Sequence, residues 1–168
     1  MKNITLLISF WIIAFNINAQ KFAYIDTEYI LNKIPEYKQA QDKIDGFSND
    51  WQKELENKYS EIEQMYRNYQ KEKVLLSEKM REKREEVIIN KENEIKSLEA
   101  KYFGPDGLLY EKRQELIKPI QDKIWDATQQ LATNNKYQII FDSSSDLIMI
   151  YHNDNLDKSD KVLEILGY

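Results

Sequence analysis

The residues of this chain that could do chemistry are few, and their spacing is poor for it. There is one histidine, His152, and no cysteine. No Ser-His-Asp set can be assembled around His152, and it reads as a solvated side chain at the end of a predicted strand. A metal site built from histidine and cysteine is impossible at the usual ligand count. Asp154, Asp157 and Asp160 are spaced like the start of a calcium loop. The sixth position from Asp154 is not Gly, however, and the twelfth is Ile165 rather than Glu. Asp157 and Asp160 read instead as acids near a helix start, where the dipole favours them. Gly104-Pro105-Asp106-Gly107 lacks the Gly-Lys-Ser/Thr ending of a phosphate loop and reads as a turn. Asp26 and Asp142 both follow predicted strands and could pair as acid and base, but such carboxylates usually cap backbone amides. No catalytic, cofactor-binding or metal residues are assigned, and the chain is expected not to be an enzyme.

The elements that would position these residues follow from periodicity. Lys21–Asp26 reads as a short apolar strand ending at an acid. Thr27 is placed to cap a short helix, Glu28–Lys33, and Pro35 suits the first position of the next. From Glu36 to about Lys73 the chain has no Pro and one Gly. Ile44, Phe47, Trp51, Leu55, Tyr59, Ile62, Tyr66 and Tyr69 recur at spacings of three and four, a single narrow helical stripe. Ile44, Leu55 and Tyr66 are 11 apart, which predicts a nearly straight helix rather than a strict heptad. At 1.5 Å per residue it would run roughly 55 Å, too long for a compact domain of this size to bury.

Val74-Leu75-Leu76-Ser77 reads as the tip of a helical hairpin, with Ser77 capping the return. The return helix carries Met80, Val87, Ile88, Ile95, Leu98 and Tyr102 and is broken at Gly104-Pro105-Asp106-Gly107. Helix resumes from about Leu108 to Thr133, with Pro119 kinking or dividing it. Tyr137–Asp142 and Asp146–Tyr151 then read as β runs joined by Ser143-Ser144-Ser145, compatible with a hairpin. Ser159 is placed to cap a last helix, Asp160–Leu166, closed by Gly167. The fold class is α+β: a small β core from the terminal strands, with a long projecting helical coiled-coil hairpin. A lone two-stranded hairpin is marginal in water. Phe22–Ile25 is therefore expected beside the C-terminal hairpin, making a small sheet whose exposed face and edges are expected to want further copies. Phe22, Tyr24, Ile139, Phe141, Ile148 and Ile150 are the candidate oligomer core.

Residues 1–19 read as a secretory signal peptide: Lys2, a mostly apolar stretch from Ile4 to Ala14, and a small-residue cleavage site between Ala19 and Gln20. The apolar stretch is short for a span of ~30 Å, so no stable membrane anchor is expected, although an uncleaved anchor is the alternative. The rest, 20–168, is read as one domain, with 20–35 and 119–168 as core and 36–118 as helical arm. Lys and Arg number 24 against 29 Asp and Glu, a net charge of −5. Cleavage would remove only Lys2 and deepen the deficit, which argues against a nucleic-acid partner. Without cysteines an exported chain must stabilise itself by packing or oligomerisation.

Several anchors occur together in order. Phe22-Ala23-Tyr24-Ile25-Asp26 leads to Ile34-Pro35-Glu36-Tyr37 and a long charged hairpin. Pro119-Ile120 precedes Lys123-Ile124 and Ala127. Tyr137-Gln138-Ile139-Ile140-Phe141-Asp142 follows, and the close is Asp157-Lys158-Ser159-Asp160-Lys161-Val162-Leu163. This pattern resembles the OmpH/Skp family over nearly the whole chain after residue 19. The resemblance implies a jellyfish-like homotrimer, whose strands form a central body and whose arms enclose a cavity. It implies a periplasmic, ATP-independent holdase for unfolded outer-membrane proteins, with no cofactor. The acidic balance departs from the often strongly basic character of such proteins.

Client contact is expected from Met65, Tyr66, Tyr69, Leu75, Leu76 and Met80 towards the tip, since Met adapts to irregular partners and Tyr offers area with a polar end. The alternative for each is the seam between the two helices. Gly104, Gly107 and Pro119 are candidate points of flexing. The competing function is a structural spacer of the cell envelope, whose mark would be a continuous heptad seam.

Overall fold

The computed structural model describes residues 21–145 and 149–168. The signal peptide, its cleavage pair Ala19 and Gln20, and Ile148 lie outside the described residues. The elements are β1 (Lys21–Ile25), α1 (Thr27–Lys33), α2 (Pro35–Glu72), α3 (Glu78–Phe103), α4 (Leu108–Asn135), β2 (Tyr137–Asp142), a 3-10 turn (Asp154–Leu156) and α5 (Ser159–Leu166). The chain divides into two compact units, one ending at Lys33 and resuming at Lys123–Tyr168, the other Ile34–Asp122. No helix among the described residues is long and apolar enough to cross a membrane.

The first unit is built on a parallel pair. β1 lies beside β2 with Phe22 opposite Ile139, Ala23 opposite Ile140, Tyr24 opposite Phe141 and Ile25 opposite Asp142. Alternation along each strand puts Phe22, Tyr24, Ile139 and Phe141 on one face. The predicted pairing of β1 with the C-terminal run is found. Of the predicted second run, Asp146–Tyr151, residues 146–148 lie outside the described residues; Met149, Ile150 and Tyr151 are outside any strand, and among the described residues β2 pairs only with β1. In the link, Ser143 donates its N–H to the Ile25 carbonyl at 2.8 Å, and Ser144 and Ser145 donate back to Asp142, so the serines tie down the ends of β1 and β2. The other edge of β1 is met by the segment after the 3-10 turn, where Lys158 N–H donates to the Tyr24 carbonyl at 2.9 Å.

Two predicted caps are reassigned, and a third holds its place without a side-chain bond. Asp26, not Thr27, caps α1: its Oδ1 accepts from Tyr29 N–H at 2.8 Å. Thr27 is the first helical residue, and its hydroxyl donates to Asp142 Oδ2 at 2.6 Å. Asp157, not Ser159, receives the first amide of α5, accepting from Ser159 N–H at 2.8 Å and from Ser159 Oγ at 2.6 Å. Ser159 is 2% exposed, and its hydroxyl also accepts from Asp26 N–H at 2.9 Å, tying the starts of two helices together. In each case a carboxylate, the stronger acceptor, displaces the hydroxyl. Ser77 stands at the N-cap of α3 but makes no side-chain cap bond; its carbonyl takes the Met80 and Arg81 amides instead. Gly167 closes α5 as expected: at φ 93° it adopts the left-handed conformation, with the Gly167 and Tyr168 amides returning to the last turn.

The second unit holds the hairpin. α2 is 38 residues, about 57 Å at 1.5 Å per residue. Pro35 occupies its first turn, where the missing N–H costs nothing. α3 returns for 26 residues after the turn at Lys73–Ser77. The buried seam consists of Leu55, Ile62 and Tyr69 on α2 and Ile88 and Ile95 on α3. Within this seam those positions are seven apart, so the expected 11-residue spacing holds from Ile44 to Leu55, both buried, and gives way to a heptad beyond Leu55. Two helices in contact bury one narrow stripe, and a seven-residue repeat keeps that stripe facing the partner. Tyr66 leaves the stripe and is exposed. α4 runs unbroken through Pro119, so that residue does not divide it.

Candidate functional site

Three tyrosines staple the hairpin across its seam. Tyr59 donates to Glu99 at 3.1 Å, Tyr102 to Glu54 at 2.8 Å, and Tyr69 to Glu85. Each hydrogen bond to a carboxylate, followed by partial burial, raises the phenol above its ordinary value. Where α3 ends, Trp51 of α2 stacks on Tyr102 with ring centroids 4.9 Å apart and planes 7° from parallel. Phe103 meets Trp51 edge-on, and Phe47 stacks on its other side. The adjoining turn is closely packed. A Cβ on Gly104 would overlap the Ala100 carbonyl, and one on Gly107 would lie 2.9 Å from Gly104 N, Lys101 O and Tyr102 O. The two glycines are there for close approach of backbone rather than for looseness.

The six tip candidates divide between seam and surface. Tyr69 is 4% exposed and belongs to the seam, with Met65 and Leu76 packed against it. Tyr66, Leu75 and Met80 are exposed. Val74, Val87, Ile89 and Tyr59 are exposed as well, and sequence reasoning passed over them as contacts. The run Val87-Ile88-Ile89 carried the signal: only one of three successive helical residues can face the seam, and the other two fall 100° to either side. A cleft of about 220 Å³ also opens in the seam, floored by Ile62, Met65, Ile95 and Leu98 and flanked by Lys58, Glu61, Lys91 and Glu94.

In the first unit, Phe22, Ile139 and Phe141 form a partly exposed apolar face on the sheet, and Tyr24 is buried beside them. Ile150 is 97% exposed. The outer edge of β2 has no further strand among the described residues. His152 is not simply solvated. Its Nδ1 lies 2.9 Å from Tyr24 Oη, its ring packs 5.0 Å from the Tyr24 ring, and Asp154 stands 3.4 Å away. Burial, then the Asp157 and Asp154 carboxylates, raise the Tyr24 phenol.

The carboxylates set aside in the sequence are occupied locally. Asp160 accepts from Tyr29 Oη at 3.0 Å, and Asp157 from Ser159. Asp142 accepts from Thr27 and Ser144, through both backbone and side chain. Among the described residues no group of three or more acids or histidines could hold a metal ion.

A strand–helix start, a long tyrosine-stapled hairpin and a returning parallel strand have a counterpart among solved structures. The fold matches a protein of Caulobacter crescentus CB15 described as an OmpH-like outer membrane chaperone. The TM-score is 0.69 at 12% identity, covering 88% of this chain and 83% of that one. None of the curated proteins matches the sequence. Residues 21–166, which span every element described, match the profile of the family described as outer membrane protein, OmpH-like. The chain belongs to the OmpH-like family.

Proposed function

We propose that the chain is an ATP-independent periplasmic holdase that binds unfolded outer-membrane proteins and keeps them from aggregating, acting as a homotrimer. Family membership and the description of the Caulobacter protein as a chaperone support the reading. The observation that carries it is the distribution of apolar side chains on the hairpin. Beyond a seam of five buried residues, Tyr66, Met80, Val87 and Ile89 stay exposed on several faces of an otherwise charged pair of helices. Scattered contacts of this kind hold a disordered chain weakly at many points without imposing a structure on it. The edge of β2, which has no further strand among the described residues, and the apolar face of Phe22, Ile139 and Phe141 support self-association.

The test is dilution of an unfolded β-barrel membrane protein with and without this protein, no nucleotide present. Suppression of light scattering at one trimer per client is expected. Replacing Tyr66, Met80, Val87 and Ile89 by Ser should leave helicity and mass unchanged and reduce client retention several-fold. Full retention by that variant would remove these residues from the site.

The seam favours a second reading. Leu55-Ile62-Tyr69 and Ile88-Ile95 are heptad repeats, the mark of a structural coiled coil that spaces envelope components. Failure of the wild-type protein to suppress aggregation would select the spacer.

A further inference from the structure

His152 is the single imidazole of the chain, and it joins two stretches far apart in sequence. It belongs to the segment 149–156, which leads to α5 and contains no strand. Its Nδ1 lies 2.9 Å from Tyr24 Oη on β1, 128 residues away, and its ring packs on that of Tyr24, which is 7% exposed. The charged groups around the pair are few. Asp154 Oδ1 stands 3.4 Å from the same Nδ1. Asp157 pairs with Tyr24 along the edge of β1 and accepts from Ser159. The Lys158 ammonium donates to the Asn155 and Asp157 carbonyls.

The direction of the Tyr24–His152 bond follows from the chemistry of its ends. Burial and the two carboxylates hold the Tyr24 phenol above its ordinary value, so the hydroxyl keeps its proton through the neutral and acid range and donates. Nδ1 therefore accepts, and the neutral ring carries its hydrogen on Nε2. A second proton on the ring makes Nδ1 a donor. It can then no longer accept from Tyr24, and the Asp154 carboxylate beside it becomes a charge-assisted partner. One partner belongs to β1, the other to the turn two residues further along the same segment. We propose that His152 is a pH-sensitive clasp on the sheet: neutral, it ties the segment 149–156 to β1 through Tyr24; charged, it turns to Asp154 and releases β1. Imidazole is the side chain that ordinarily changes charge between pH 5 and 8. The clasp sits where it can act on assembly. Tyr24 shares its strand face with Phe22, Ile139 and Phe141, and the clasped segment carries Ile150 and Tyr151, 97% and 84% exposed. It is independent of the holdase reading, since a spacer with the same sheet would carry the same clasp.

The chain has no cysteine, so Ile150→Cys in the full chain accepts a single spin label on the clasped segment. At pH 8 its motion should be restrained, and at pH 5 several-fold faster and reversibly so, with helicity unchanged. His152→Asn keeps an acceptor near the place of Nδ1 that does not titrate, and the label should stay restrained at both pH values. Tyr24→Phe removes the donor, and the label should move fast at both. Asp154→Asn should keep the restraint at pH 8 and reduce the gain at pH 5. Equal motion at pH 8 and pH 5 with His152 in place would overturn the proposal. So would a pH-driven change of the same size in His152→Asn, which decides the matter even if Tyr24→Phe disturbs the fold.

Discussion

At Asp142, burial and hydrogen bonding pull one carboxyl in opposite directions. Burial raises it, but the bonds from Thr27 and Ser144 prevail and hold it below the ordinary aspartate range. A depressed folded value means that its stabilisation is present above the unfolded value of about 4 and is lost as pH falls through the folded one. We expect Asp142→Ala to cost about 1–3 kcal/mol at neutral pH, because the Thr27 amide and hydroxyl lose their acceptor. The gap to wild type in urea midpoint should close on acidification below about pH 4. The hairpin tyrosines behave in the opposite sense. Tyr59, Tyr69 and Tyr102 are raised, so what they contribute is complete below about pH 10 and is lost as pH climbs through their folded values. Thermal melts followed by circular dichroism should therefore fall sharply in alkali, and less so for Tyr59→Phe/Tyr102→Phe. That strand-end acids such as Asp26 and Asp142 cap backbone amides was legible; that Asp26 rather than Thr27 caps the first helix was not. That Thr27 would serve Asp142 was not, since the two are 115 residues apart in sequence.

Among the elements, the hairpin was the most legible, because a stripe of apolar residues with no Pro after Pro35 at its start admits little but helix. Its register was not: spacings of three and four fit 7-residue and 11-residue repeats alike, and only the position of the partner helix decides. Met149, Ile150 and Tyr151, at the end of the second predicted C-terminal strand, stand outside any strand for a related reason. A run rich in Ile and aromatics reports β preference, whereas pairing depends on which edge is free. Glycine separates the elements usefully. A Cβ at Gly46, inside α2, meets nothing within 4 Å, so Gly46→Ala should stabilise the hairpin by about 0.5–1 kcal/mol. Gly104→Ala and Gly107→Ala should each destabilise it by about 1–3 kcal/mol and perturb the near-ultraviolet signal of the Trp51–Tyr102 stack. Ile95→Ala, at 3% exposure in the seam, should cost about 2–5 kcal/mol. Calorimetry on the four variants measures the order.

For the molecule as a whole, the sheet face is the point at which a single copy looks unfinished. Phe141→Asp and Ile139→Asp put a charge on the apolar face, and mass by light scattering should drop towards the monomer if that face joins copies. The parallel pairing of β1 and β2 also carries a consequence for how the chain reaches this state. Contacts inside the hairpin join residues 16 to 48 apart, as in Tyr69–Glu85 and Glu54–Tyr102. The bonds that close the sheet region join residues more than a hundred apart. Loop closure of that length is slow, and β2 follows the whole hairpin in chain order. The order of events is thus set by connectivity: helices zip first, and β1 waits for its neighbour. In pulsed hydrogen exchange, amides of α2 and α3 should gain protection before those of β1. Any association through the sheet is thereby deferred until β2 has followed the hairpin, a form of timing written into the placement of two short strands on either side of it.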